Sequence, residues 1–133
     1  MKYMLDTNIC IFIMRNKSEA LKKKFFSVES DSVCISSITF AELMRGVFKS
    51  KLKVENLKTL ILLLRNIPIY SFDSGAAVKF GELVADLEAK GTKIGRMDSL
   101  IAGHALSENL TLVTNNTREF ERVEGLKVED WTK

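Results

Sequence analysis

Histidine, cysteine and proline are scarce in this chain of 133 residues, which has one histidine, two cysteines and one proline. The single histidine, His104, excludes any site built from several imidazoles, and we expect it to be a packed or a surface side chain. Cys10 and Cys34 form no CxxC motif, so a zinc ribbon or a disulfide framework is not expected and both thiols are predicted to be buried. Any chemistry must therefore rest mainly on carboxylates.

Long apolar runs are also absent. The run Leu60–Leu64, for example, is far shorter than the roughly 18 residues of a membrane span. Asp6 interrupts the apolar start of the chain where a signal peptide would need its hydrophobic stretch, so we expect a cytoplasmic protein without a membrane partner. With 46% hydrophobic and 28% charged residues, the composition predicts one globular domain over residues 1–133.

Short apolar runs alternate with helical patterns along the chain. Strands are predicted at residues 1–5, 33–36, 67–72, 110–114 and 127–129, and helices at 19–28, 40–49, 53–66, 75–89 and 98–108. This alternation favours a three-layer α/β/α domain with a mostly parallel central sheet of four to five strands. In such sheets, ligands bind outside the carboxyl ends of the strands.

Acidic residues stand near those strand ends. Asp6 follows the first strand, Glu42 lies one turn into the helix after the second, and Asp98 opens the helix before the fourth. Glu119, shortly after the fourth strand, is a candidate fourth member. Carboxylates crowded at one edge repel, and a divalent cation normally offsets that repulsion. Oxygen ligands without histidine or thiolate favour Mg²⁺ or Mn²⁺ over zinc.

Each carboxylate also has a purely structural alternative, because acidic residues commonly cap helices. These alternatives are a helix N-cap at Asp6 or at Asp98, and capping boxes that pair Thr39 with Glu42 and Asn116 with Glu119. The sequence alone leaves both interpretations open. The arrival of several carboxylates at the same edge of the predicted sheet is what favours a functional site.

Four segments, in order and covering essentially the whole chain, resemble the PIN domain. They are Met4–Asn8; Ser36–Leu43 with Gly46; Gly95–Asp98 with Ile101 and Ala102; and Val113–Phe120 followed by Trp131, of which the last is similar to the VapC toxins of bacterial toxin–antitoxin pairs. No single motif is decisive, but four in register are specific.

The resemblance implies a Mg²⁺-dependent endoribonuclease whose acidic residues map onto Asp6, Glu42 and Asp98. Asp6 and Asp98 would bind Mg²⁺, with Mn²⁺ as a substitute, and Glu42 would hold or deprotonate the attacking water. Many PIN domains have an aspartate where this chain has Asn116, and Glu119 is expected to supply the missing charge. The resemblance also implies a homodimer, a VapB-like antitoxin partner, and transfer RNA as substrate, with the initiator tRNA anticodon loop as target.

Basic residues are concentrated between positions 45 and 65. This stretch contains only one acid, Glu55. Its six basic residues are Arg45, Lys49, Lys51, Lys53, Lys58 and Arg65. Such a stretch suits a polyanionic partner such as RNA, and it also fits a solvated helix face.

Two other classes of protein remain open. A haloacid-dehalogenase-like phosphatase also has an aspartate after its first strand, but it requires an Asp-x-Asp motif and this chain has Asn8 at the second position. The other class is a non-catalytic RNA- or protein-binding domain whose carboxylates only cap helices.

Overall fold

The computed structural model describes residues 1–133 as five strands and seven α-helices. The strands are β1 (Tyr3–Leu5), β2 (Val33–Ser36), β3 (Ile69–Tyr70), β4 (Thr111–Val113) and β5 (Val128–Glu129). The helices are α1 (Thr7–Met14), α2 (Glu19–Ser27), α3 (Ser37–Lys49), α4 (Lys53–Leu64), α5 (Ser74–Ala89), α6 (Arg96–Ser107) and α7 (Thr117–Phe120). None of the helices is long and apolar enough to cross a membrane.

The five strands form one parallel sheet in the order β3-β2-β1-β4-β5. Leu5 of β1 pairs with Val113 of β4, and Met4 pairs with Cys34 of β2, so the three central strands end near the same level. From β1, the chain adds β2 and β3 on one side of the sheet and β4 and β5 on the other. Parallel sheets form a ligand-binding crevice at the point where the strand order reverses in this way. The predicted α/β class with a parallel sheet is confirmed.

Side chains alternate between the two faces of the sheet, as strand geometry requires. Tyr3 and Leu5 pack with α1 to α4 on one face, whereas Met4 and Cys34 pack with α5 and α6 on the other. The two cysteines are free and buried as predicted, and burial raises the pKa of both thiols. The three central strands therefore form a buried middle layer.

Helices α5 and α6 pack closely because α6 has a glycine where they meet. A Cβ added at Gly103 would lie 2.8 Å from the backbone nitrogen of Phe80 and 2.9 Å from its Cα. Only a residue without a side chain allows this approach. The helix that carries Asp98 is thereby held firmly against its neighbour.

Three differences from the predicted helices concern the acidic residues, whereas the short helix α7 was not predicted and other boundaries shift by only one or two residues. Helix α1 is not among the predicted helices and entered only as the alternative in which Asp6 caps a helix. Its apolar residues follow one another without a helical period. Helix α3 begins at Ser37 rather than residue 40, and α6 begins at Arg96 rather than residue 98. Each shift changes the role of a nearby carboxylate.

Candidate active site

Asp6 is the most deeply buried carboxylate of the site, with 4% of its surface exposed. It directly follows β1 and caps α1, since its Oδ1 accepts a hydrogen bond from the backbone N–H of Ile9 at 2.8 Å. The predicted helix cap at Asp6 is confirmed. Burial raises the pKa of Asp6 to about 6 even though the Thr114 side chain and Ile9 hydrogen-bond to it, and the negative charge of Glu42 adds to the rise.

Glu42 reaches toward α1 rather than back along its own helix. Its Oε1 accepts a hydrogen bond from Thr7 Oγ1 at 2.5 Å. The predicted capping box with Thr39 is wrong, because α3 begins earlier: Ser36 is the N-cap, and its Oγ accepts from the N–H of Ile38 at 3.0 Å. Glu42 therefore does not cap α3. Its side chain extends to Thr7, the residue next to Asp6, at the carboxyl edge of the sheet.

Asp98 is not the N-cap of α6, so that prediction is also wrong. Gly95 holds the N-cap position, which places Asp98 in the first turn. Its pKa is raised to about 7, chiefly by burial, then by the charge of Glu119 and a hydrogen bond shared with it, and then by the charges of Asp6 and Glu42. The pKa of Asp98 therefore responds to the other three predicted site residues at once.

Glu119 joins the site through a loop contact. Its Oε1 accepts the backbone N–H of Gly95 at 2.8 Å, and its Oε2 accepts the side-chain amide of Asn116 at 2.5 Å. Asn116 is the N-cap residue of α7 but makes no side-chain cap hydrogen bond, so the predicted capping box is wrong. Although burial acts to raise the pKa of Glu119, these two hydrogen bonds, a third shared with Asp98 and the charge of Arg122 together outweigh it, and the pKa is lowered.

Asp130 is a further carboxylate near Asp6 that the sequence prediction did not include. It follows β5 at the carboxyl edge of the sheet, and its charge adds to the rise in the pKa of Asp6. The signal was the same one that identified Asp6, an acidic residue directly after a strand. The predicted strand at 127–129 ends directly before Asp130, so the rule applied to Asp6 would have found it.

A divalent cation fits the chemistry of this donor set. The three ion pairs of the molecule involve other residues, so no lysine or arginine forms an ion pair with Asp6, Glu42, Asp98 or Glu119. The charge of Arg122 acts on Glu119, whose pKa it helps to lower. In the present side-chain arrangement no three acidic, histidine or cysteine side chains converge closely enough to enclose an ion. The pKa values of Asp6 and Asp98 are both raised, so a nearby cation would stabilise the ionised form of each carboxylate.

The fold and the site together define an α/β domain with an acidic site at the carboxyl edge of a parallel sheet. The family model described as the PIN domain matches residues 3–126. The chain is 44% identical over 132 residues to the tRNA(fMet)-specific endonuclease VapC of Shigella flexneri, covering 99% of each chain. It is 42% identical to ribonuclease VapC2 of Rickettsia felis, covering both chains completely. The chain belongs to the PIN-domain family, within its VapC ribonucleases.

Solved structures of relatives agree with this assignment. DNA-bound VapBC from Salmonella typhimurium is similar, with a TM-score of 0.93, 44% identity and 98% of each chain covered. VapBC2 from Rickettsia felis bound to a promoter DNA fragment gives a TM-score of 0.92 at 41% identity, covering 98% of this chain and 99% of the other. Membership of this ribonuclease family excludes the phosphatase and the non-catalytic module that the sequence left open.

Proposed function

We propose that this chain is an endoribonuclease toxin that cuts a phosphodiester bond of initiator tRNA in the cytoplasm, with Mg²⁺ or Mn²⁺ as cofactor. The observation that carries the proposal is the placement of four carboxylates at the carboxyl edge of the parallel sheet, where the charges of Glu119, Asp6 and Glu42 all act on Asp98. The choice of tRNA rests on the two relatives, each 44% identical, that are named tRNA(fMet)-specific endonucleases.

Asp6 and Asp98 are the proposed metal ligands. Both have a raised pKa, so each gains most from a nearby cation. A bound divalent cation supplies Lewis-acid stabilisation of the negative charge on the phosphate and lowers the pKa of a coordinated water. Glu119, fixed by Gly95 and Asn116, keeps a further negative charge beside Asp98. That charge offsets the neutral amide of Asn116 at a position where many PIN domains carry an acid.

Glu42 is the proposed proton acceptor. Thr7 already donates to its Oε1, which leaves Oε2 to accept a hydrogen bond and then the proton of the attacking water. Glu42→Gln keeps the acceptor for Thr7 but loses basicity, so cleavage should fall by about 10²- to 10⁴-fold while the melting temperature stays close to that of the wild type. Glu55→Gln, at an exposed glutamate of α4, is the matched control and should cleave normally. Near-normal cleavage by Glu42→Gln would remove Glu42 from the mechanism.

The basic stretch on α3 and α4 supports an RNA substrate. All six of its cations are exposed to solvent, namely Arg45, Lys49, Lys51, Lys53, Lys58 and Arg65. Phosphate contacts release counterions, so RNA binding should weaken steeply as salt rises. Charge reversal at Lys49, Lys51 and Lys53 should flatten that dependence without changing metal affinity. An unchanged salt slope would reduce the stretch to a solvated helix face.

A VapB-like antitoxin is the proposed protein partner, since the similar solved structures are VapBC complexes. A groove of about 470 Å³ between α1, α2 and α4 is its proposed docking surface, because nine of the twelve lining residues are hydrophobic. Phe26 and Leu62 line this groove and remain largely exposed in the free chain.

We propose that the toxin is itself a homodimer, so that the complex with antitoxin is a hetero-oligomer. Sedimentation of the isolated chain should give twice the mass of one chain.

The proposed function is tested directly by incubating the purified chain with end-labelled initiator tRNA. A single cut in the anticodon loop is expected in Mg²⁺, with no product in EDTA and recovery when Mg²⁺ is restored. Asp98→Asn should give no product under any of these conditions. An elongator tRNA serves as the substrate control. Full cleavage in EDTA would overturn the metal-dependent mechanism, and equal cleavage of both tRNAs would overturn the choice of target.

A further inference from the structure

A second depression opens beside the acidic site. It has a volume of about 250 Å³, lies between α1, α3 and α4, and includes Glu42 among its lining residues. The buried side chains of Leu43, Val47 and Leu60 give it an apolar lining. A molecule placed in this cavity would thus contact the residue proposed to accept the proton of the attacking water.

The remaining lining offers hydrogen-bonding groups of both kinds. Ser50 Oγ donates to the carbonyl of Val47 at 2.7 Å, and Thr59 Oγ1 donates to that of Glu55 at 3.1 Å, so both oxygens keep lone pairs for a ligand. The side-chain amide of Asn56 supplies donors and an acceptor at one point of the wall.

Arg15 adds a guanidinium group to this lining. It ends α1 and takes part in none of the three ion pairs of the molecule. A guanidinium plane can stack on a nucleobase or bind a phosphate. The cavity therefore combines an apolar surface, polar groups with spare hydrogen-bonding capacity, and one uncommitted cation.

Gly46 keeps part of the cavity open. It lies on α3 among the lining residues, and a Cβ added there would meet no atom within 4 Å. A longer side chain at this position can therefore extend into open space without displacing the protein. Gly81 on α5 has the same freedom and lies outside the cavity lining, so it provides a matched control.

We propose that this cavity holds one nucleobase of the RNA, from a nucleotide next to the phosphodiester that is cut. The inference rests on the proposed ribonuclease function and extends it to substrate recognition. The volume is below the roughly 300–1,000 Å³ of pockets for drug-sized ligands, which suits a single planar ring with polar edges. Proteins read single-stranded RNA by splaying out such a base, stacking it and hydrogen-bonding its edge.

The test is a double-mutant cycle between protein and RNA. A single-stranded oligoribonucleotide that the wild type cuts is prepared with one abasic nucleotide at each position flanking the cut, and kcat/KM is measured for each version. One abasic position should reduce kcat/KM of the wild type by about tenfold or more, the scale of losing one stacked base. Gly46→Leu should show the same reduction on intact RNA and no further loss at that abasic position.

Gly81→Leu should retain the full abasic penalty and normal cleavage of intact RNA. Asn56→Ala, which leaves the backbone of the cavity unchanged, should weaken discrimination among the four bases at the same position. Normal kinetics in Gly46→Leu, with the abasic penalty intact, would overturn the nucleobase site while leaving the ribonuclease function standing. Weaker antitoxin binding by Gly46→Leu without any change in RNA kinetics would assign the cavity to the protein partner instead. If the wild type cuts no RNA, the proposed function itself fails, and the inference fails with it.

Discussion

The two faces of the sheet are covered in different ways. On one face, α5 and α6 meet so closely that Gly103 contacts the backbone of Phe80. On the other face, α4 leaves several large apolar side chains exposed, with Leu62 showing 67% of its surface and Ile61 showing 58%. Close packing fixes the helix that carries Asp98, whereas exposed apolar surface costs free energy unless a partner covers it. We infer that the α5–α6 face provides rigidity and the α4 face provides recognition.

The largest effect is expected from breaking the close packing. Gly103→Ala places a Cβ against backbone atoms that cannot move aside, so unfolding free energy should fall by about 3 kcal/mol, the upper range for overpacking. Urea titration measures the change. Gly81→Ala on α5, where a Cβ meets no atom, should instead leave stability unchanged or raise it by up to about 1 kcal/mol. Equal stability of the two variants would contradict the assignment of rigidity to this face.

A second test concerns the exposed face. Leu62→Asp in the proposed antitoxin groove should weaken binding of the cognate antitoxin by about tenfold or more, as expected for a hydrophobic contact at an interface. Stability of the free toxin should change by less than about 0.5 kcal/mol, because the side chain is already exposed. Val78→Asp on α5, at a valine that is 61% exposed, should leave antitoxin affinity unchanged. Calorimetric titration of each variant with antitoxin would show whether the two positions differ.

The smallest effect is expected from a change of pH. This test asks which carboxylates of the acidic site have a raised pKa. Without a divalent cation, Asp6 and Asp98 have pKa values of about 6 and 7 in the folded chain, against 3.8 as the ordinary value. The folded chain then retains protons that the unfolded chain has released, so this stabilisation is complete below about pH 4 and is lost as pH rises through 7. Solvent screens part of this effect because Asp98 is only half-buried, so the melting temperature should fall by a few degrees between about pH 5 and pH 8.

The slope of this pH dependence distinguishes its source. Asp98→Asn removes one of the two raised groups, so its melting temperature should fall less steeply over the same range. Mg²⁺ should raise the melting temperature of the wild type most at high pH, because protons then compete least for the carboxylates. An Asp98→Asn variant with the slope of the wild type would place the titrating groups elsewhere.

The strand ends were predictable because their pattern is local. A short apolar run that stops at an acid identifies β1 and Asp6 without any knowledge of distant contacts, and parallel strands must end at a common edge. That rule predicts Asp6, Glu42, Asp98 and Glu119 near one edge, and in the structure the charges of the other three all act on Asp98. It also applies to Asp130, which directly follows the predicted strand at 127–129 and was overlooked.

The helix starts were not predictable because distant contacts select them. Residues 36, 37 and 39 are all hydroxyl-bearing candidates for the cap of α3. Ser36 is selected in the folded chain, where its Oγ lies 2.7 Å from the buried Nδ1 of His104 on α6. Helix α1 escaped prediction for a related reason. Its apolar residues point in all directions because the sheet, α3 and α4 surround it, so no amphipathic period remains.

Two helix-capping aspartates allow the central claim to be tested most directly. Asp6 caps α1 through Ile9 at 2.8 Å, and Asp73 caps α5 through Ala76 at 3.0 Å, but only Asp6 belongs to the acidic site. Asparagine caps about as well as aspartate, so Asp6→Asn and Asp73→Asn should both keep the stability of the wild type within about 0.5 kcal/mol or exceed it. We predict that Asp6→Asn loses at least about a hundredfold in initiator tRNA cleavage, more than the 10- to 100-fold typical for residues that only support a metal ligand. Asp73→Asn should cleave at the rate of the wild type. Equal cleavage by the two variants would reduce Asp6 to a helix cap and contradict the account of the site.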